Sequence, residues 1–274
     1  MSLASSTDIE RPPSLPRPWT KARVAGNALL GLWILAGVGM VWFLVASWDP
    51  NFFAKYLPWY AEGLLTTIIL VTISIVLGAV LSIPVAYARM SKNKVLQAIA
   101  YGYVYFFRGT PLLAQAFLVY YGFGAFRVEL ESIGLWWFFR EAWYCAVFAF
   151  SLNTAAYQAE ILRGAIESVP RGQWEGAASL GLHSLQTMRK IILPQALIVA
   201  LRPYGNEIIL MIKGSAVVTL ITVYDLMGMT QRVYSSSFQF QAYIWAAIIY
   251  MILVETLRYA VEWIERRITI HLHR

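Results

Sequence analysis

Residues 168–194, SVPRGQWEGAASLGLHSLQTMRKIILP, form a long polar segment between two apolar stretches of the chain. Pro170 and Gly172 are expected to end the helix that precedes this segment. The pattern then predicts a short helix at residues 173–180 and a turn at Gly181. The apolar side of this short helix is formed by Trp174, Ala177, Ala178 and Leu182. A small knob with an apolar side is suited to insert into a groove on another protein.

The chain around this segment is unusually apolar. Of its 274 residues, 59% are hydrophobic and 14% are charged, which is too few charges for a soluble domain of this length. Runs of ~20 apolar residues indicate membrane helices. Six such runs occur, at residues 25–47, 62–88, 99–123, 142–162, 191–211 and 242–261. A shorter apolar patch at residues 216–223 predicts a broken or re-entrant element. The predicted fold class is therefore an all-α membrane protein with about six transmembrane helices.

Basic residues give the orientation, because they favour cytoplasmic loops. With six spans, the basic groups before the first span and after the second, fourth and sixth spans all fall on one side. Both termini and residues 168–194 are therefore predicted to be cytoplasmic. Since the basic residues act as topology signals, the net charge of +7 does not indicate a nucleic-acid partner. The predicted surroundings of the spans are membrane lipid.

Aromatic residues cluster in two predicted outer loops, at residues 48–60 and 136–144. Trp and Tyr are enriched where a membrane protein crosses the boundary between lipid and water. Both aromatic groups are therefore predicted to be interface anchors.

The polar segment also carries a spaced motif. It resembles the cytoplasmic signature of the membrane subunits of binding-protein-dependent ABC importers, which reads Glu-Ala-Ala, three residues, Gly, nine residues, Ile-x-Leu-Pro. The matching residues are Glu175, Ala177, Gly181, Ile191, Leu193 and Pro194. Gly176 stands where the signature has its first alanine, a change that weakens a helix by ~1 kcal/mol. Residues 107–115, 151–173 and 202–216 resemble the polar amino-acid branch of that family, and within it the subunits for histidine, basic amino acids and opines such as octopine or nopaline.

The resemblance implies a type I ABC importer transmembrane domain in the bacterial inner membrane. It implies a permease core at residues 59–265 with a coupling loop at 166–190, preceded by a first span and outer loop at 25–58. Residues 1–24 and 266–274 would be cytoplasmic tails. The implied function is to move polar or basic amino acids, or opines, across the membrane.

The resemblance also implies partners. Two cytoplasmic ATPases would bind the coupling loops, a periplasmic binding protein would deliver substrate, and a second membrane subunit, a related chain or a copy, would complete the pathway. The histidine and opine systems favour a heterodimer. The residues implied to couple to the ATPase are Trp174, Glu175, Ala177, Gly181, Leu182, Ile191, Leu193 and Pro194. The chain has no G-x-x-x-x-G-K-[ST] phosphate loop, so ATP-Mg and its hydrolysis are assigned to the partner and no cofactor to this non-catalytic chain.

Several polar residues interrupt the predicted spans, where a charge costs ~2.5 to 3.5 kcal/mol. Asn153, Tyr157 and Glu160 share one helical face by their spacing, and Glu207 lies in the fifth span. Two interpretations stay open for these four residues: they line the substrate path, or they tie helices together through hydrogen bonds. Residues 108–111 are predicted to shape a kinked helix.

The alternative function is a secondary transporter or channel that runs on an ion gradient. Such folds contain inverted repeats with interrupted helices in both halves, and no such symmetry relates residues 25–123 to residues 142–261. An intramembrane enzyme would need a nucleophile with a base, or a paired-acid site, and the sequence offers no recognisable set. The three histidines, His183, His271 and His273, lack a partner set for a metal.

Overall fold

A computed structural model describes residues 20–269 of the protein. The predicted tails at residues 1–24 and 266–274 lie mostly outside the described residues. Every regular element in the described part is a helix, which confirms the predicted all-α class. The chain divides after Asp49 into two units.

The first unit contains one helix, α1 (Lys21–Ala46). Its N-terminus is capped by the Thr20 hydroxyl, which accepts a hydrogen bond from the Arg23 amide at 3.3 Å. With 26 residues and a mean hydropathy of 2.3, α1 is long and apolar enough to cross a membrane. It matches the predicted first span.

The second unit begins with α2 (Pro50–Arg89), a single helix of 40 residues. The outer loop predicted at its start is helical instead, because residues 50–60 belong to α2 and are partly buried, and the interface role of its aromatic residues stays a prediction. Phe52 and Tyr60 are only 2% and 1% exposed, and the Tyr60 hydroxyl donates to the Ala242 carbonyl at 2.9 Å. Burial of these rings against Leu226, Val233 and Ala242 stabilises the helix where the sequence alone suggests a loop.

The next part of the chain is broken into short helices. It contains α3 (Lys94–Gly109), α4 (Leu112–Phe117), a π-helical turn (Leu118–Gly122), α5 (Arg127–Ser132) and α6 (Trp136–Phe139). Thr110 and Pro111 have extended backbones between α3 and α4. The predicted kink at residues 108–111 is therefore confirmed and is a full break in the helix.

The central helix is α7 (Ala142–Glu167), which is followed by the polar segment. That segment contains α8 (Arg171–Ser179), α9 (Ser184–Thr187) and a π-helical turn (Met188–Ile192), and it leads into α10 (Leu193–Ser215). Gly172 lies inside α8, so only Pro170 separates the two helices as predicted. A 3-10 helix (Ala216–Ile221) continues α10 directly, so the patch predicted as re-entrant extends a long helix.

The last described elements are α11 (Leu226–Ser237) and α12 (Gln241–Thr269). Four described helices are long and apolar enough to span a membrane, namely Lys21–Ala46, Pro50–Arg89, Ser184–Ile221 and Gln241–Thr269. The predicted span at residues 99–123 is interrupted by the break, and α7 carries several polar residues. The count of six spans therefore stays a prediction.

The closest helix packing in the second unit joins α2 to α7. A Cβ atom built on Gly78 of α2 would lie 2.3 Å from Thr154 Cγ2 and 3.0 Å from Gln158 Nε2 on α7. The absence of a side chain at Gly78 therefore allows the two backbones to approach, as small residues do between membrane helices.

We expect Gly78→Ala to destabilise the protein by about 1–3 kcal/mol, because overpacking forces neighbouring groups apart. Thermal unfolding of the detergent-solubilised protein measures this loss as a lower melting temperature. Gly102→Ala on α3 is the matched control, since no atom lies within 4 Å of its added Cβ. Equal melting temperatures for the two variants would contradict the close-packing argument.

Candidate functional site

A buried polar cluster surrounds the break between α3 and α4. The Asn153 amide, on α7, donates to the Phe107 carbonyl at 3.0 Å and to Gln115 Oε1 at 3.0 Å. Gln115 donates in turn to the Thr110 hydroxyl at 2.7 Å and to the Phe107 carbonyl at 2.9 Å. These amides satisfy backbone groups that the break leaves without helical partners. Asn153 therefore holds the broken helix against α7.

Tyr157 lies one turn further along α7, beside the last residues of α3. Its hydroxyl donates to the Arg108 carbonyl at 3.4 Å, and the Arg108 guanidinium lies 5.2 Å from the centre of its ring. Asn153 and Tyr157 are thus both linked to the end of α3.

Glu207 is a nearly buried carboxylate, with 6% of its surface exposed. It accepts a hydrogen bond from the Thr154 hydroxyl at 2.9 Å. Among residues 20–269, no lysine or arginine forms an ion pair with it. A buried carboxylate with so few donors has strong remaining capacity to bind a cation.

Glu160 has a different environment. Its carboxylate pairs with Arg89 Nε at 2.8 Å and with the Arg163 guanidinium at 2.8 Å. Arg89 also lies over the ring of Tyr101, at 5.0 Å from its centre. The geometry favours the helix-tying interpretation for Glu160, because its charge is already matched across α2 and α7.

Sequence reasoning did not single out Thr154 or Gln158, which complete the seam between α2, α7 and α10. Gln158 Nε2 donates to the Ile75 carbonyl at 3.1 Å and to the Thr154 hydroxyl at 3.1 Å. Their i, i+4 spacing on α7 was the available signal. The partners on α2 and α10 could not be identified from that spacing.

The first helix of the polar segment, α8, ends in a Schellman turn. Gly181 has a φ of +69°, its amide donates to the Ala178 carbonyl at 2.9 Å, and the Leu182 amide donates to the Ala177 carbonyl at 3.1 Å. This pair of bonds satisfies the last carbonyls of α8 and requires a left-handed residue. The predicted turn at Gly181 is therefore confirmed.

Part of the apolar side of α8 packs against the chain itself, whereas Ala178 on the same side is exposed. Ala177 is 2% exposed, and Trp174, Ile191 and Leu193 pack against the cluster that contains Ile192. Leu182 is half-buried. These coupling residues anchor α8 to the chain's own core, because a helix of nine residues needs tertiary packing to be stable.

A different set of residues on this segment is accessible to a partner. Glu175, Gly176, Ala178 and Pro194 are exposed, and the Leu180 and Leu185 side chains are 79% and 61% exposed. No atom lies within 4 Å of a Cβ added to Gly176. The glycine at this position therefore has no packing role within the chain.

Comparisons with known proteins agree with the motif. A family model described as the inner membrane component of binding-protein-dependent transport systems matches residues 78–270. The nopaline transport system permease protein of Agrobacterium fabrum is 44% identical over 202 residues, which cover 72% of this chain and 84% of that protein. An arginine ABC transporter permease protein of Haemophilus influenzae is 38% identical over 186 residues, covering 68% of this chain and 81% of that protein. A crystal structure of an amino acid ABC transporter with histidines has a TM-score of 0.71 and 34% identity, and covers 80% of this chain and 99% of the matched chain.

Proposed function

Because this chain belongs to the inner membrane components of binding-protein-dependent transport systems, we propose that it is a permease subunit of an ATP-driven importer of basic amino acids or opines. One observation carries this proposal: α8 is anchored to the ends of α7 and α10, the same two helices that hold Asn153, Tyr157 and Glu207. A force applied to α8 is therefore applied to the helices of the polar cluster.

The exposed side of α8 is the proposed docking surface for the cytoplasmic ATPase. Glu175, Ala178 and Leu180 offer a carboxylate and apolar atoms to a groove. Trp174 and Ala177 on the other side hold α8 to the core, so movement of the ATPase tilts α7 and α10 together. Such tilting switches access to the polar cluster between the two sides of the membrane.

The proposed role of the buried Glu207 carboxylate is to bind a positively charged group of the substrate. A guanidinium or ammonium group entering the cluster would pair with it where the low dielectric strengthens the attraction. Asn153 and Tyr157 would shape the same path through the contacts that they make with α3. The nopaline and arginine permease relatives support a substrate that carries a guanidinium group.

The complete importer requires further subunits. ATP-Mg and its hydrolysis belong to two cytoplasmic ATPases, and a periplasmic binding protein delivers substrate to the outer side. A second membrane subunit, either a related chain or a copy of this one, completes the pathway. The location is the bacterial inner membrane.

Uptake by the reconstituted importer tests the proposal. We expect proteoliposomes with both membrane subunits, the ATPase and the binding protein to accumulate labelled arginine only with ATP on the ATPase side, and vanadate to stop this uptake. Proteoliposomes without the ATPase are the control. Uptake that follows an ion gradient without ATP would overturn the proposal in favour of a secondary transporter or channel.

A further inference from the structure

We propose that a cavity at the predicted outer end of the second unit is a first binding site for the substrate, an amino acid that carries a guanidinium group. This outer cavity has a volume of about 360 Å³, which is within the range of small-molecule sites. Its charged and aromatic lining residues are Glu62, Tyr120, Arg140, Glu141, Trp143 and Tyr224. The inference rests on the proposed function, because it takes the chain to be an importer subunit, and it adds a second substrate site to that function.

The outer cavity lies at the opposite end of α2 from the predicted cytoplasmic side. Glu62 precedes Arg89 by 27 residues on this helix, which at 1.5 Å per residue is about 40 Å. Arg89 lies at the predicted cytoplasmic end of its span, and a hydrocarbon core is about 30 Å thick. Glu62, Arg140 and Glu141 are all exposed. The cavity is therefore accessible from the side on which the binding protein would deliver substrate.

The two carboxylates of the outer cavity have capacity to bind a cation. Within residues 20–269, the Glu62 carboxylate makes no hydrogen bond or ion pair. In the same part of the chain, the Glu141 carboxylate pairs with Arg140 Nε at 3.3 Å. An ionised carboxylate can accept several hydrogen bonds through its two oxygens. Both glutamates can therefore accept from a guanidinium or ammonium group.

The charges of the outer cavity complement those of a guanidino amino acid. Its charged lining residues are Glu62, Glu141 and Arg140, so it has two carboxylates and one cation. Free arginine has the reverse set, namely one carboxylate, an ammonium group and a guanidinium group. The Arg140 guanidinium contacts Glu141 through Nε, and its planar fork has further donors for the substrate carboxylate.

Aromatic rings provide the remaining polar and apolar contacts. Tyr120 and Trp143 line the outer cavity, and a guanidinium group over such a ring is attracted to its face. Both residues are half-buried and pack against the apolar cluster below the cavity. Their rings are therefore held in place before a ligand binds, which lowers the entropy cost of binding.

An apolar cluster separates the outer cavity from Glu207. Val223 lines the cavity and belongs to the same buried cluster as Met211, which is one turn beyond Glu207 on α10. Glu141 precedes Thr154, the partner of Glu207, by 13 residues, which is about 20 Å along a helix. The substrate therefore binds first at the outer carboxylates and reaches Glu207 when the apolar cluster opens.

Protection of an introduced cysteine tests the proposal. The importer with Thr66→Cys, a change in the lining of the cavity, is solubilised in detergent without the binding protein and labelled with N-ethylmaleimide. The natural Cys145 is fully buried and should stay unlabelled. We expect arginine at about 10 mM to slow the labelling about tenfold, the occupancy that a Kd of about 1 mM gives. Citrulline at the same concentration should leave the rate unchanged, because it has no guanidinium charge.

The matched control is Ser235→Cys on α11. The Ser235 hydroxyl, like that of Thr66, donates to the carbonyl four residues earlier, and Ser235 does not line the outer cavity. Its labelling rate should not respond to arginine. Equal protection at both positions would overturn the proposal, since it would show an effect that does not depend on the cavity.

Two second-site variants identify the source of the protection. Glu62→Gln added to Thr66→Cys should abolish the arginine effect, whereas Glu207→Gln added to it should leave that effect intact. The proposal is wrong if arginine does not protect Thr66→Cys, if citrulline protects equally, if protection persists in Glu62→Gln, or if Glu207→Gln removes it. ATP-driven uptake by the same importer in proteoliposomes separates the two ideas. Uptake without protection refutes only the outer site, whereas an importer that takes up no arginine with ATP refutes the proposed function.

Discussion

Replacing Gly181 with valine is expected to abolish uptake by releasing the ATPase from α8. Valine is β-branched and strongly disfavours the φ of +69° that the Schellman turn requires. The strain is about 1–3 kcal/mol, enough to weaken ATPase binding by about 5- to 150-fold where binding needs the intact turn. Co-purification of the ATPase with the tagged membrane subunit measures this effect.

Two further variants at Gly181 separate backbone strain from steric bulk. Asparagine tolerates the left-handed region, so Gly181→Asn should retain most of the bound ATPase. Gly181→Ala adds a Cβ that meets no atom of this chain within 4 Å, so any loss comes from strain or from the partner. ATPase bound at the wild-type level by Gly181→Val would refute the role of this turn in docking.

Hydropathy predicted the long helices well because their apolar runs exceed what a soluble core can hold. It missed α11, whose sequence has no such run. That helix is stabilised by tertiary contacts: Asp225 caps its start by accepting from the Gly228 amide at 2.9 Å, and the Leu226 amide donates to the Thr67 hydroxyl at 3.0 Å. Gly63 lets α2 approach closely at the same point. Contacts between residues this far apart in the chain have no local sequence signal.

In the candidate site, too, the sequence predicted local spacing but not contacts between distant residues. Helical spacing correctly placed Asn153 and Tyr157 on one side of α7, where both contact the end of α3. Spacing could not reveal that Glu160 is matched by Arg89, 71 residues away, while Glu207 is left with a hydroxyl. Because the sequence does not identify partners far away in the chain, it predicted that Trp174 on α8 is accessible, although Trp174 packs against the core of the chain.

This difference between the two glutamates gives the second large expected effect. Glu207→Gln should raise the KM for arginine uptake about ten- to hundredfold, because a charged hydrogen bond contributes about 1.5–3 kcal/mol. Glutamine keeps the size of the side chain and an oxygen that can accept from Thr154, so the fold should be retained. The measurement is the initial rate of uptake by proteoliposomes in the presence of substrate-saturated binding protein. It compares arginine with citrulline, whose side chain has a similar length but no charge.

Glu160→Gln is the matched control, since it also removes one carboxylate charge, but from the ion pairs with Arg89 and Arg163. It breaks the pairs with Arg89 and Arg163 and should lower the melting temperature, because it leaves the Arg89 guanidinium without a carboxylate, whereas Arg163 keeps its pair with Glu167. The ratio of arginine to citrulline uptake should nevertheless stay at the wild-type value. In Glu207→Gln that ratio should fall towards one, with citrulline uptake unchanged. A wild-type ratio in Glu207→Gln would contradict charge pairing between Glu207 and the substrate, and Glu207 would then only connect α10 to α7 through Thr154. A lower ratio in both variants would instead indicate that the substrate cation lies between the two carboxylates.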